Sequence, residues 1–427
     1  MRVLITTLAY HPYVGGHAVA TAAVAEKLAQ KGHKVSILTS NLIQFSPLKK
    51  AKTELDQLNG VSIVRFDAIW PDLSGVKSSL KGKFGRVFTT LIDKLSELDE
   101  KRPCLENVFF LARALSFPFT PQMLFWDLTS DINSDIIHAF DLVWSTSFIS
   151  YMMAKKRKLR YVITPFLHLY SPRHRGNSLF KVLRGADAII AVTESERNFI
   201  VERGVPQKKV HLIGVGVETE KLEGGCGVAF RLKYGIPPED PIILFVGRKE
   251  VDKGVIQLLK SMGYIWSQIP NARLVIIGPN GILPSDVKMY YDTLSLVPTN
   301  KRQNVLDLGI VSEKEKLDAF SASDVFAMPS RRDSFGIVYL EAWYYRKPVV
   351  GALCEPIWDV IDDKVNGILV RFGDEKDLAN NLLGLLKNEK MREEIGERGY
   401  EKVMTKYNSE TTVSEIENVY KKCSQCS

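Results

Sequence analysis

Short apolar runs alternate with helical stretches along almost the whole chain, and this alternation restricts the fold more than any single residue does. Candidate strands in the first half are Val3 to Thr7, Val35 to Thr39, Val61 to Phe66, Ile136 to Ala139, Tyr161 to Pro165 and Ala188 to Val192. A second series begins at Val210 to Val217 and continues with Ile242 to Val246, Leu274 to Ile277, Val305 to Leu308, Val325 to Met328 and Val349 to Gly351. Apolar strands separated by helices are the pattern of parallel α/β sheets, whose crossovers cover both faces. The 427 residues suffice for two domains of roughly 100 to 200 residues each. Two Rossmann-like domains are therefore expected, residues 1–207 and 208–407, with a linker near Gly204 to Lys209 where a Gly and a Pro interrupt the pattern. The last segment, residues 408–427, opens on a helix-start signal at Asn408-Ser409 and carries Val413, Ile416, Val419 and Tyr420 on one face.

Composition narrows the class. A hydrophobic content of 45% and a charged content of 25% describe an ordinary globular chain. No apolar run reaches the roughly 18 residues that span a bilayer, and MRVLITTLAY reads as a buried first strand rather than a signal peptide. Cys104, Cys226, Cys354, Cys423 and Cys426 form no disulfide framework, so a reduced, cytoplasmic protein is expected. Cys423-x-x-Cys426 has no second pair to complete a zinc site. The chain carries no G-x-G-x-x-G, which counts against a nicotinamide or flavin enzyme, and no nucleic-acid-binding motif.

The chemistry concentrates in Met328 to Val350, MPSRRDSFGIVYLEAWYYRKPVV. Asp333 lies on a polar loop, and Glu341 follows eight residues later, past Phe335-Gly336-Ile337. With a helix from Ile337, Glu341 stands one turn inside it, on the order of 6 Å along the axis. Both acids then face one ligand at the helix start. Backbone N–H groups there suit a phosphate and carboxylates suit sugar hydroxyls, which together suggest a nucleotide sugar. Simple capping is the plainer alternative for the two acids. Upstream, Ile242 to Lys260 reads IILFVGRKEVDKGVIQLLK, an apolar strand running into Arg248 and Lys253. Open parallel sheets bind ligands outside the carboxyl ends of their strands, and two fixed cations there hold a diphosphate as a leaving group.

With these loops in this order, the chain resembles the retaining GT-B glycosyltransferases of family 4, the glycosyl transferases group 1. The resemblance rests on Gly247-Arg248, Lys253-Gly254, Asp333 with Glu341, and VNGILV at Val365 to Val370; the first acid is Asp where the family has Glu. It implies two Rossmann-like domains facing across a cleft, with the terminal helix crossing back onto the first domain. It also implies transfer of a hexosyl group from a UDP-, GDP- or ADP-sugar to a hydroxyl acceptor, with no resident cofactor and no metal. No Asp-x-Asp metal motif is present. The catalytic residues implied are His168, Arg248, Lys253 and Asp333. The donor contacts implied are Gly15, Gly16 and Val311, then Phe335, Gly336, Ile337 and Glu341, beside Arg248, Lys253 and Asp333. Gly15-Gly16 is equally an ordinary turn after the first strand, and His138 and His174 are alternatives to His168. Two other readings stand beside transfer: another GT-B enzyme such as a nucleotide-sugar epimerase, and a non-catalytic sugar-nucleotide-binding protein.

Two regions bear on the acceptor, a glycan, a lipid-linked sugar or a small molecule. Ala154 to Arg175 holds Lys155, Lys156, Arg157, Lys158, Arg160, Arg173 and Arg175 and no acid, directly after the apolar run Val143 to Met153. Cations beside apolar residues suit an anionic membrane surface, through Lys155 to Arg160, or a phosphate-bearing acceptor. A peripheral position on the inner membrane face is the corresponding expectation, and a solvated helix end is the alternative. The insertion Asp67 to Asp127 contains Trp70, Phe84, Phe88, Phe109, Phe110, Phe117, Phe119, Phe125 and Trp126, and is expected to form helices on the acceptor side.

Overall fold

The computed structural model describes residues 1–13, 15–45, 48–50, 55–69, 93–116, 118–129 and 133–425. Trp70, Phe84, Phe88, Phe117 and Cys426 lie outside them. The chain divides into two compact units, Met1–Gly216 with Ser409–Ser427, and Val217–Asn408.

Unit 1 is built on β1 (Arg2–Thr6), β2 (Lys34–Ser40), β5 (Leu55–Leu58), β6 (Val61–Phe66), β7 (Ile136–Phe140), β8 (Arg160–Thr164), β9 (Ala188–Ala191) and β10 (Val210–Leu212), while β3 (Leu42–Phe45) and β4 (Leu48–Lys50) form a separate antiparallel hairpin. The sheet order is β10-β9-β8-β7-β1-β2-β6-β5, parallel throughout except where β5 meets β6. Central strands such as β1 are apolar on both faces because helices cover both sides of the sheet. The expected boundary at residues 207 and 208 moves to Gly216 and Val217. Val210–Leu212 pairs in parallel with β9, Val210 opposite Ile189, and so completes the first sheet instead of opening the second. Gly204 and Pro206 mark a helix-to-strand turn inside unit 1, since the helix Glu194–Glu202 ends just before them.

The terminal helix Ser409–Gln425 belongs to unit 1. Its face of Val413, Ile416, Val419 and Tyr420 is buried. Polar contacts fix its register: the Tyr420 hydroxyl lies 2.6 Å from His138 Nδ1, Lys31 Nζ lies 2.6 Å from Glu410, and His33 Nε2 lies 2.6 Å from Glu417.

Unit 2 holds β11 (Ile242–Val246), β12 (Arg273–Ile277), β13 (Val305–Gly309), β14 (Val325–Ala327), β15 (Val349–Ala352) and β16 (Gly367–Val370) in the order β13-β12-β11-β14-β15-β16. The first strand of this unit sits at the centre and the fourth pairs on its other side. This is the doubly wound order in which ligands bind where the crossovers change direction, here at the carboxyl ends of β11 and β14. The fold class expected from the sequence, α/β with two Rossmann-like domains, is the one observed.

Candidate active site

Two loops leave the switch point of unit 2, and both are charged. β11 ends in Gly247-Arg248, after which a short 3-10 helix, Val251–Lys253, leads into the helix Val255–Trp266. Gly254 makes that turn with φ at +79°, and a Cβ there would stand 2.4 Å from the Pro329 carbonyl oxygen. Only glycine admits this approach. β14 releases the second loop, which is fastened to the first. The Arg331 N–H donates to the Asp252 carbonyl at 2.9 Å, and the Asp252 carboxylate accepts from Arg331 Nε at 2.8 Å and Arg332 Nη1 at 3.0 Å. Burial acts to raise the Asp252 pKa, but the two guanidinium groups outweigh it and hold the group below the usual carboxylate range.

The main pair of the site is Lys253 and Asp333. Lys253 Nζ donates to Asp333 Oδ2 at 2.6 Å, with both side chains under one-fifth exposed. Arg248 is more open, its Nε 3.7 Å from Glu250 Oε1. Arg331 and Arg332 add two cations that sequence reasoning passed over; their signal was their place directly before Asp333.

Gly336 caps the helix Ile337–Tyr344 with φ at +88°, a left-handed geometry that only glycine adopts without strain. The first N–H groups of that helix have no partner inside it. Its start is held rigidly: the Tyr339 hydroxyl donates to the Met328 carbonyl at 2.5 Å, and Phe335 meets Tyr407 edge-on at 5.3 Å. Glu341 sits one turn in, 6% exposed. Its Oε1 accepts from Lys316 at 2.9 Å, while Oε2 is buried without a hydrogen bond. Burial raises the Glu341 pKa against the pull of Lys316. Lys316, which the sequence reading missed, lies on the helix Glu313–Ala322 that follows half-buried Val311 after β13.

Behind Arg248, Lys249 is 4% exposed, and its Nζ lies 2.9 and 3.0 Å from the two carboxylate oxygens of Asp307 on β13. The Tyr290 hydroxyl donates to the same carboxylate at 2.9 Å. This buried ion pair anchors the loop one residue beyond Arg248.

In unit 1, Gly15 caps the helix Gly16–Gln30 after β1. His168 lies on the loop after β8, where its backbone N–H donates to His174 Nδ1 at 3.1 Å and the two rings meet edge-on at 5.0 Å. Glu196, 1% exposed, holds that loop by accepting from the Leu167 N–H at 2.6 Å and the Val192 N–H at 2.7 Å, and burial pushes its pKa up to about 7. His138 belongs to the core: its ring nitrogens meet the Tyr420 and Thr164 hydroxyls, and burial lowers its pKa to about 3. The basic run is tied down in part, Arg160 to Asp187 at 3.1 Å and Lys155 to the Gly185 carbonyl at 2.6 Å. The apolar stretch before it, including Phe148, Ile149 and Met153, is buried in the unit 1 core. That helix turns its apolar side to the unit 1 core, and none of Val143 to Met153 is exposed beside the basic run.

A model of the glycosyl transferases group 1 family matches residues 229–402, and a model of the glycosyl transferase 4-like domain matches residues 15–216. The chain belongs to the family 4 group of glycosyltransferases. This glycosyltransferase is 25% identical to an uncharacterized glycosyltransferase of Methanocaldococcus jannaschii, over 99% of this chain and 98% of the other. The solved sucrose-phosphate synthase of Thermosynechococcus elongatus matches it with a TM-score of 0.71 and 18% identity, covering 100% of both chains. Anabaena HepE, solved in complex with UDP-glucose, matches with a TM-score of 0.71 and 14% identity over 99% of this chain and 100% of that one. These likenesses confirm the GT-B fold class, and the group 1 match includes every switch-point residue from Arg248 to Glu341.

Proposed function

We propose that this glycosyltransferase moves a hexosyl group from a nucleotide diphosphate sugar to a hydroxyl acceptor, with retention at the anomeric carbon. The observation that carries the reading is the convergence of Arg248, Lys253, Asp333 and the open start of the helix Ile337–Tyr344 at one switch point. The donor diphosphate takes the backbone N–H groups of Gly336 and Ile337 and the cations Arg248 and Lys253. Lys253 exchanges Asp333 for phosphate, which leaves the Asp333 carboxylate to accept from the sugar hydroxyls. Glu341 Oε2 accepts from the ribose, and Val311 lies on the nucleoside side. Gly15, Gly16 and His168 of unit 1 are the remaining residues that the family resemblance implies for donor contact and catalysis.

Charge develops where the cations already stand. The bond from the anomeric carbon to the phosphate oxygen breaks with its electron pair passing to the diphosphate, which Arg248 and Lys253 neutralise. The acceptor oxygen bonds to the same face of the sugar, and its proton passes to the departing phosphate. This route uses no protein nucleophile and no metal ion.

The HepE complex supports a UDP-sugar as the first donor to test. Calorimetry with UDP-glucose, GDP-glucose and ADP-glucose, on the wild type and on Asp333→Asn, decides the reading. One base is expected to bind best. Asp333→Asn should keep affinity for the free nucleotide and lose transfer, because an amide cannot offer paired acceptors to the sugar. Binding of none of the three, or wild-type transfer by Asp333→Asn, overturns it. Activity unchanged by EDTA is the expected sign of metal independence.

A further inference from the structure

We propose that the helical hairpin of residues 93–114 in unit 1 is a docking surface for an anionic lipid bilayer. The hairpin is a helix at 93–101, a short 3-10 turn, Pro103–Leu105, and the helix Glu106–Ala114. Its second helix is apolar on two sides. One side enters the core of unit 1, where Phe110 meets Phe148 edge-on at 5.3 Å and Ala114 is buried. The other side carries Val108 and Leu111, with Leu115 following at the C-cap, and these are 60%, 56% and 57% exposed. Leu105 stands exposed at the foot of that stripe, and Leu95 and Leu98 are exposed on the first helix. A helix apolar on both sides is ordinarily covered on both, so this stripe marks an interaction face.

The charges identify the occupant. Four acids of the hairpin are drawn into ion pairs with arginines: Asp93 with Arg173 at 2.7 Å, Asp99 with Arg113 at 3.5 Å, Glu100 with Arg203 at 2.8 Å, and Glu106 with Arg184 at 2.6 Å. The charges left exposed on the hairpin are Lys94, Lys101 and Arg102 against Glu97. An exposed apolar stripe with a surplus of cations is the composition that settles at a lipid headgroup boundary of negative charge, where the apolar side chains enter the acyl edge and the cations meet phosphates. The surface differs from the basic run at Lys155 to Arg160, whose neighbouring apolar residues Phe148, Ile149 and Met153 are buried, although the helix Glu106–Ala114 packs on the helix Ser145–Arg157 through Phe110 and Tyr151. It is also independent of the donor reading.

Flotation of the full chain tests it, with vesicles of phosphatidylcholine alone and of phosphatidylcholine with phosphatidylglycerol, at low and high salt. The wild type should float with the anionic vesicles only, and less at high salt. The triple variant Val108→Ser, Leu111→Ser, Leu115→Ser changes exposed side chains and should reduce the bound fraction about tenfold or more. A second variant, Lys101→Glu with Arg102→Glu, should do the same without touching the stripe. A wild type that never floats overturns the proposal, as do hairpin variants that float like the wild type. A concentration-dependent dimer in sedimentation that the serine variant abolishes, without flotation, would assign the face to a second copy and also overturn it.

Discussion

Each unit has a central strand where the crossovers change direction, β1 beside β7 in unit 1 and β11 beside β14 in unit 2, and the charges around the two places behave oppositely. In unit 2 the strand ends release cations and carboxylates that remain partly hydrated and paired with one another, as Lys253 is with Asp333. In unit 1 three titratable groups around the central strands, Asp141, Glu196 and His138, are buried and shifted toward their neutral forms. Asp141, directly after β7, accepts from the Trp144 indole at 2.7 Å, and burial pushes its pKa up to about 7. Glu196 and His138 are shifted toward their neutral forms by the same cause. Topology supplies the place, and the loops decide whether charge stays available for a ligand.

The largest expected effect tests the ion pair behind the unit 2 loops, in which Lys249 is buried and Asp307 is partly so. Lys249→Met leaves the Asp307 carboxylate without its ammonium partner and should cost about 3–5 kcal/mol in urea unfolding. Lys249→Met with Asp307→Leu should recover most of that loss, since the destabilising group is then gone. A single variant as stable as the wild type would mean that unit 2 does not depend on this anchor.

The buried carboxylate of unit 1 gives a pH signature. Glu196 is raised from 4.5 to about 7 in the folded chain, so the native state keeps a proton that the unfolded chain has already lost. Its contribution is fully present below about pH 4.5, declines as pH rises, and is lost above about pH 7, a change of about 3 kcal/mol at most. Glu196→Gln should flatten that slope while lowering stability at acid pH, because one of the two backbone N–H groups loses its acceptor. Urea midpoints between pH 5 and 8 measure both, and parallel curves for the two proteins would contradict the assignment.

Arg248→Ala and Lys253→Ala should each reduce turnover on the order of 10² fold, the usual result of removing one preorganised charge partner. Lys155→Ala, a cation of unit 1 bonded to a backbone carbonyl, should leave turnover unchanged. Equal losses in all three would remove the contrast between the two units' cations.

Buried parallel strands were the most legible part of the sequence. Ile242–Val246 has the bounds its apolar run gives it, because a strand covered on both faces is apolar without interruption; Val61–Phe66 also keeps its expected bounds, with Ser62 and Arg65 interrupting the apolar residues. The four-residue β16 was not recognised as a strand, and Val210–Leu212 was given to the wrong sheet, since short segments are assigned by pairing partners that sequence does not display. The Lys253 and Asp333 loops were legible as a motif. Lys249–Asp307 and Lys316–Glu341 were not: their partners lie 58 and 25 residues apart and meet only through the sheet order. Lys249 in particular reads as solvated surface until β13 is placed beside β12.

The smallest effect compares the two units through matching helix caps. The Thr193 hydroxyl accepts from the Glu196 N–H at 3.2 Å in unit 1, and the Ser312 hydroxyl accepts from the Glu315 N–H at 3.2 Å in unit 2. Each replacement by Ala should cost about 1 kcal/mol, the usual value of an N-cap. Ser312, however, starts the helix that carries Lys316, and Lys316 holds Glu341 at 2.9 Å. Ser312→Ala should therefore also weaken UDP-glucose binding by a few-fold, on the order of 1 kcal/mol or less, whereas Thr193→Ala should leave it unchanged. Calorimetric titration of the two variants reads this directly. Equal affinities in both would detach Glu341 from the donor, and the contrast between the two strand-end sites would then rest on Arg248, Lys253 and Asp333 alone.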